Sequence, residues 1–197
     1  MDDRKLSRRQ LLTAAGALTA TAAVLDPTKV LANDGEGVSL LRWDLAQIIQ
    51  GTVLAGGFDT GKDATTGDTV TLSGSGEARA EDGLATGGGT FVHKHSNGSE
   101  VAHGVYVVTG FNSFRKGAGT LVGVPMSDGI DRKDRTTSGI LEVNVALSAS
   151  TGTQLNGTLT VECALPGDNT GAVEGIELDV ATLHFKQNGG VTLFHVL

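Results

Sequence analysis

Two imidazoles and a carboxylate fall within eight consecutive residues of the segment Phe91-Val92-His93-Lys94-His95-Ser96-Asn97-Gly98-Ser99-Glu100. Asn97-Gly98 is a strong signal for a two-residue type I′ hairpin turn. With that turn His95 faces Glu100, Lys94 faces Val101, His93 faces Ala102 and Val92 faces His103. Paired residues share a sheet face, so His93, His95 and Glu100 project from one side and His103 from the other. Two imidazoles and a carboxylate that leave coordination positions open suit Zn, Mn or non-haem Fe. The cofactor expected from this hairpin is therefore a divalent metal on His93, His95 and Glu100. The plainer reading is a set of solvated polar side chains near an exposed hairpin tip.

Other constellations are thinner. Asp59-Thr60-Gly61 carries the triplet of aspartic proteases only once, and that chemistry needs two carboxylates sharing a proton, so a turn is expected. Asp128, Asp131 and Asp134 could bind Ca²⁺, but Arg132, Lys133 and Arg135 lie among them without EF-hand spacing, which points to a self-neutralised loop. Cys163 sits on the apolar face of its segment, as a buried, inert thiol would. Ser73-Gly74-Ser75-Gly76 lacks the spacing of a nucleophile elbow, and no Gly-rich phosphate cradle opens a helix. Asn97-Gly98-Ser99 and Asn156-Gly157-Thr158 fit the glycosylation pattern and are read as turns.

The elements that must hold these residues read as strands. Leu141, Val143, Val145 and Leu147 alternate with more polar neighbours; so do Leu159, Val161, Cys163 and Leu165, and Ile176, Leu178 and Val180. Period two of this kind marks half-buried antiparallel strands. Leu183 and Phe185 keep the opposite parity, and a β-bulge near Ala181-Thr182 would account for it. Leu41, Trp43 and Leu45 suggest an opening strand, although Ile48-Ile49 would also allow a short helix. Segments 53–58, 70–79, 89–95, 101–109, 120–124 and 191–196 complete about ten strand candidates. Polar stretches 59–68, 127–138, 148–156 and 166–171 read as loops. The expected fold is all-β, a single antiparallel barrel of about eight to ten strands, with a β-sandwich as the alternative.

Composition supports one such domain. The chain has 197 residues, 29 of them Gly and only 3 Pro, without a collagen period. Gly74, Gly76, Gly87 to Gly89, Gly104, Gly119 and Gly123 fall in or beside strands, where bends and close backbone approach need them. Bent strands favour the barrel over the sandwich.

The N-terminus reads as an address. Charged residues come first, then Ser7-Arg8-Arg9-Gln10-Leu11-Leu12, then a mildly apolar run of 15 residues ending at Leu25. That run is shorter than the roughly 20 residues of a membrane-crossing helix, so a signal peptide fits better than a stable membrane anchor. The motif resembles the twin-arginine (Tat) export signal, with Arg8 and Arg9 as the recognised pair. The resemblance implies a prokaryotic protein carried folded to the envelope or exterior, with the Tat machinery as a partner. Val30-Leu31-Ala32 places the expected cleavage after Ala32, giving residues 1–32 as signal and 33–197 as the exported all-β domain. The whole chain carries 15 basic and 22 acidic residues. Loss of residues 1–32 would leave ten basic against nineteen acidic, and such a surface disfavours nucleic acid.

The hairpin also resembles the first metal motif of the cupin family, a Gly, five residues, His-x-His and then a Glu. Gly87, His93, His95 and Glu100 match it. Cupins are double-stranded β-barrels, often metal-dependent dioxygenases, isomerases or sugar-modifying enzymes, and that is what the resemblance implies. The chain departs from the family at Val107, where a Gly is expected, and in having no second motif; His184 and His195 would be further ligands only by default. The overall layout is also similar to small exported β-domains of no assigned role. Two functions are expected on these grounds: an exported barrel without a catalytic set, binding a small-molecule ligand or serving a structural role, and a cupin-like metalloprotein using His93, His95 and Glu100.

Overall fold

The computed structural model describes residues 40–121 and 123–197, so Arg8, Arg9 and the cleavage position after Ala32 lie outside the described residues. Described residues form thirteen strands and a single 3-10 turn, Lys133–Arg135, with no α-helix and hence no helix able to cross a membrane. The first strands are β1 (Leu41–Ile49), β2 (Thr52–Leu54), β3 (Phe58–Asp63), β4 (Thr69–Arg79), β5 (Leu84–Lys94) and β6 (Glu100–Lys116). After these come β7 (Met126–Ser127), β8 (Thr136–Thr137), β9 (Gly139–Ala149), β10 (Gln154–Cys163), β11 (Gly175–Val180), β12 (Leu183–Gln187) and β13 (Val191–Val196).

Eight strands close an antiparallel barrel, as expected. The ring runs β3, β4, β5, β6, β9, β10, β11, β12, and pairing of β12 with β3 completes it. Ring neighbours keep chain order, with one excursion between β6 and β9, so this is an up-and-down meander whose ring leaves no open edge. Alternation supplies the interior: Leu141, Val143 and Val145 from β9, Leu159, Val161 and Cys163 from β10, and Ile176 and Leu178 from β11 are each at most 1% exposed. Burying a side chain of this size stabilises by roughly 1.5–3 kcal/mol.

Along the edge away from β5, strand β4 has two partners. Residues 69–73 pair with β3, and residues 75–78 pair with β1. Beyond β1 lie β13 and then β8, a sheet branching from the barrel wall. Trp43 and Phe194, paired across β1 and β13, join the same core as the ring strands. Gly74 marks the changeover at φ +149, where a Cβ would lie 2.5 Å from the Tyr106 hydroxyl. On the neighbouring strand Gly87 has φ +132, and a Cβ there would lie 2.9 Å from the Trp43 ring. Any side chain at either position would displace an interior aromatic, so the strand glycines read from the sequence have a packing reason.

The other face of the β1–β13 pair is covered by the connection from β6 to β9. Leu121, Val124 and Met126 pack there on Ala46, Val53 and Leu193, a second small core.

Several local expectations change. Of the stretch 59–68, expected as loop, residues 59–63 belong to β3 and the rest form the turn to β4; the acidic residues Asp59 and Asp63 are buried in the strand, and Asp63 also caps that turn. Asp63 Oδ2 accepts the N–H group of His184 and Oδ1 accepts those of Thr66 and Thr65, which pulls its carboxyl down to about 2. The parity switch at Ala181-Thr182 is a two-residue reversal between β11 and β12, with Ala181 left-handed at φ +53, and not a bulge. Ile48-Ile49 continue β1 and pair with β2 instead of starting a helix. Segment 53–58 divides between β2 and β3, and the described residues of 120–124 form no strand.

Candidate functional site

The β5–β6 hairpin turns differently from the two-residue turn expected at Asn97-Gly98. Gly98 N–H donates to the His95 carbonyl and His95 N–H to the Ser99 carbonyl, both at 2.8 Å. Gly98 is left-handed at φ +86 and Asn97 is not, which makes a three-residue loop with a bulge glycine. Asn97 accepts from Ser99 N–H through Oδ1 at 2.9 Å, an interaction that competes with the I′ conformation. Lys94 therefore pairs with Glu100 while His93 pairs with Ala102, leaving Val101 as an extra residue. The bulge re-aims the side chains around it. Glu100 Oε1 lies 2.6 Å from His103 Nδ1, both side chains exposed, and the structure does not bring Glu100 to His93 and His95.

The two imidazoles meet Asp68 instead, a residue that its sequence context did not single out. Its Oδ2 lies 3.1 Å from His93 Nε2 and 3.2 Å from His95 Nδ1, while Oδ1 accepts the Ser96 N–H at 3.2 Å. Desolvation works to raise this carboxyl, but bonds from His93, His95 and Ser96 outweigh it and hold it below its ordinary value. An ionised Asp68 accepts only, so His93 donates through Nε2–H, and its neutral form carries the lone pair on Nδ1. Asp68 joins the constellation because Val70 pairs with His93 across β4–β5. The Asp82-Gly83 signal does not supply that register: a two-residue turn there would pair His93 with Leu72, whereas the connection has four residues and Arg79 pairs with Leu84.

This network borders a cavity of about 340 Å³ at one end of the barrel. Its walls are mainly apolar, with Phe91, Leu147, Leu178 and Phe185 at the buried base and Val101 and Leu155 nearer solvent. His93 is the single ionisable residue in the lining, its ring edge-on to Phe185 at a centroid distance of 5.5 Å and 80°. The bulge that turned Glu100 away also brings both Val101 and Ala102 to this cavity.

The remaining candidates are scattered. His184 Nδ1 lies 2.9 Å from Asp179 Oδ1 on the exposed surface. Cys163 is buried, its thiol pushed up mainly by desolvation, and it donates to the Thr192 carbonyl at 3.4 Å. Arg132 and Asp134 form a two-bonded exposed ion pair, as a self-neutralised loop would have. Asp128 departs from that loop's solvated character: it is 4% exposed and lies beside His195, which is 0% exposed. No protein-family model, curated protein or solved structure matches the chain.

Proposed function

We propose that the chain is an exported β-barrel binding protein that holds a small apolar molecule in the mouth of its barrel. The observation that carries this reading is the cavity of about 340 Å³, within the range of small-molecule sites. It is roughly twice the 150 Å³ void that accepts benzene, which suits a ligand of one or two rings. Burial of apolar surface supplies the affinity, and His93, held by Asp68, supplies one oriented hydrogen bond. The hydroxyls in the lining are those of Thr151 and Thr153, and the lining contains no serine or cysteine nucleophile, which favours retention over turnover.

Titration with N-phenyl-1-naphthylamine, a neutral two-ring fluorophore, tests the binding half. Saturable one-to-one enhancement is expected, lost in Ala149→Trp, which fills the mouth. No saturable signal, or unchanged binding in that variant, refutes it. The export half rests on Ser7-Arg8-Arg9-Gln10-Leu11-Leu12. Arg8→Lys with Arg9→Lys should leave unprocessed protein in the cytoplasm, and normal secretion of that variant would overturn it.

A further inference from the structure

Away from the barrel mouth, three buried side chains converge. Strand alternation sends Trp43 and Phe194 into the core and leaves Arg42, Asp44 and His195 on the opposite face of the β1–β13 pair, where His195 stands opposite Arg42. Asp128 enters from the other side, on the β6–β9 connection directly after β7. Ligand atoms of Asp44, Asp128 and His195 all lie within 4.8 Å of one another, and the residues are 1%, 4% and 0% exposed. Among the described residues no other trio of His, Cys, Asp or Glu converges this way.

The polar atoms of this trio are short of partners. His195 has neither ring nitrogen hydrogen-bonded, and Asp128 Oδ2 is also unpaired, all three atoms being buried. An unpaired buried polar atom is costly, and most buried polar side-chain atoms in folded proteins have a partner. A direct ion pair does not remove the deficit. His195 Nε2 and Asp128 Oδ2 are 3.4 Å apart without forming a hydrogen bond. Asp44 takes two bonds from Arg42. Three buried polar atoms thus meet at a dry point without partners.

We propose that Asp44, Asp128 and His195 form a structural site for a divalent transition metal, with Zn²⁺ as its best fit, that fastens the β6–β9 connection to the β1–β13 pair. The 3.4 Å separation of His195 Nε2 and Asp128 Oδ2 matches the edge of a tetrahedron with bonds of about 2.0–2.1 Å. Supporting bonds orient the ligands: Arg42 holds both oxygens of Asp44, and Asp128 Oδ1 accepts the N–H groups of Ile130 and Asp131 at 3.1 and 2.9 Å. One imidazole with two carboxylates selects Zn²⁺, Mn²⁺ or Fe²⁺ over Mg²⁺ and Ca²⁺, which take oxygen ligands. Near-complete enclosure makes the site a fastening point and not a catalytic one, since no substrate reaches it. The sequence reading held Asp128 and His195 apart, one in a solvated loop and one as a default ligand, and did not single out Asp44.

The test uses full-length, tag-free protein. Elemental analysis should find about one equivalent of metal; after extraction with dipicolinate, added Zn²⁺ should bind one-to-one and raise the Tm by several degrees. Asp128→Asn keeps the turn acceptor at Oδ1 but loses the charge, and it should weaken Zn²⁺ binding about 100-fold and abolish the Tm response. The variant Asp68→Asn with His93→Ala and His95→Ala should keep its metal. Less than a tenth of an equivalent together with no Tm response to Zn²⁺ or Mn²⁺ overturns the proposal, whatever the variants do. Undiminished binding in Asp128→Asn, or metal lost from the barrel-mouth variant, overturns it as well.

Discussion

Asp59 should make the protein lose stability as pH rises from about 4 to 8. It lies on β3, is 0% exposed, and has one oxygen bonded to the Thr60 N–H while Oδ2 has no partner. Gly190 packs so closely that a Cβ there would sit 2.0 Å from the Asp59 Cγ, which leaves no space for a compensating cation on that side. Desolvation, with a smaller push from Glu174, lifts the carboxyl from 3.8 to about 7. The folded state therefore holds a proton that the unfolded chain releases near pH 4. In that window the native state binds more protons, so unfolding free energy falls as pH rises, and the loss is complete above pH 7. About three pKa units at 1.36 kcal/mol each set a ceiling near 4 kcal/mol, and partial hydration of the site reduces it to roughly 2–3 kcal/mol. Asp59→Asn keeps the acceptor for Thr60 and removes the charge. Urea unfolding monitored by circular dichroism at half-unit steps from pH 4.5 to 8.5 gives the difference curve. The variant should match the parent at the acid end and exceed it by that amount at the alkaline end. Parallel curves across the range would show that Asp59 ionises normally and that the desolvation argument is wrong.

The geometry sets three further outcomes. Gly87→Ala should destabilise by about 2–4 kcal/mol in the same urea assay, since φ +132 and the nearby Trp43 ring both oppose a side chain; a change under 0.5 kcal/mol would contradict the close packing. Ala181→Gly should stabilise by up to about 1 kcal/mol by relieving the left-handed conformation at φ +53, and a loss of stability would argue against that turn. Asp68→Asn should weaken binding of the naphthylamine probe roughly two- to tenfold by releasing His93. The stability that the ionised Asp68 adds is present above its unfolded pKa and lost as pH falls through its lowered folded value, so the variant's stability deficit should shrink in acid.

The barrel was legible because its wall obeys period two. Leu141 to Leu147 and Ile176 to Val180 need no tertiary knowledge to be assigned an inner face. Strand β3 was not, because Asp59 and Asp63 have the composition of a loop, and only the pairing with β4 and β12 reveals that their carboxylates point into the fold. At the hairpin the residue types were read and the register was not. One residue of difference in the Asn97-Gly98 loop exchanged Glu100 for Asp68 as the carboxylate beside His93 and His95. The trio Asp44, Asp128 and His195 draws on segments up to 151 positions apart, beyond any spacing argument.

The double partnership of β4 bears on how the molecule assembles. Seven of the eight seams of the ring join strands that succeed one another around the meander, so they can zip as hairpins while the chain is still incomplete. The eighth, β12 to β3, and the attachment of β13 to β1 join opposite ends of the domain. Loop-closure entropy makes these contacts late and slow. Strand β13 is thus the keystone of the branch: until Val191–Val196 arrives, β1 has only β4 and the small β2 to lean on, and Trp43 lacks Phe194 beside it.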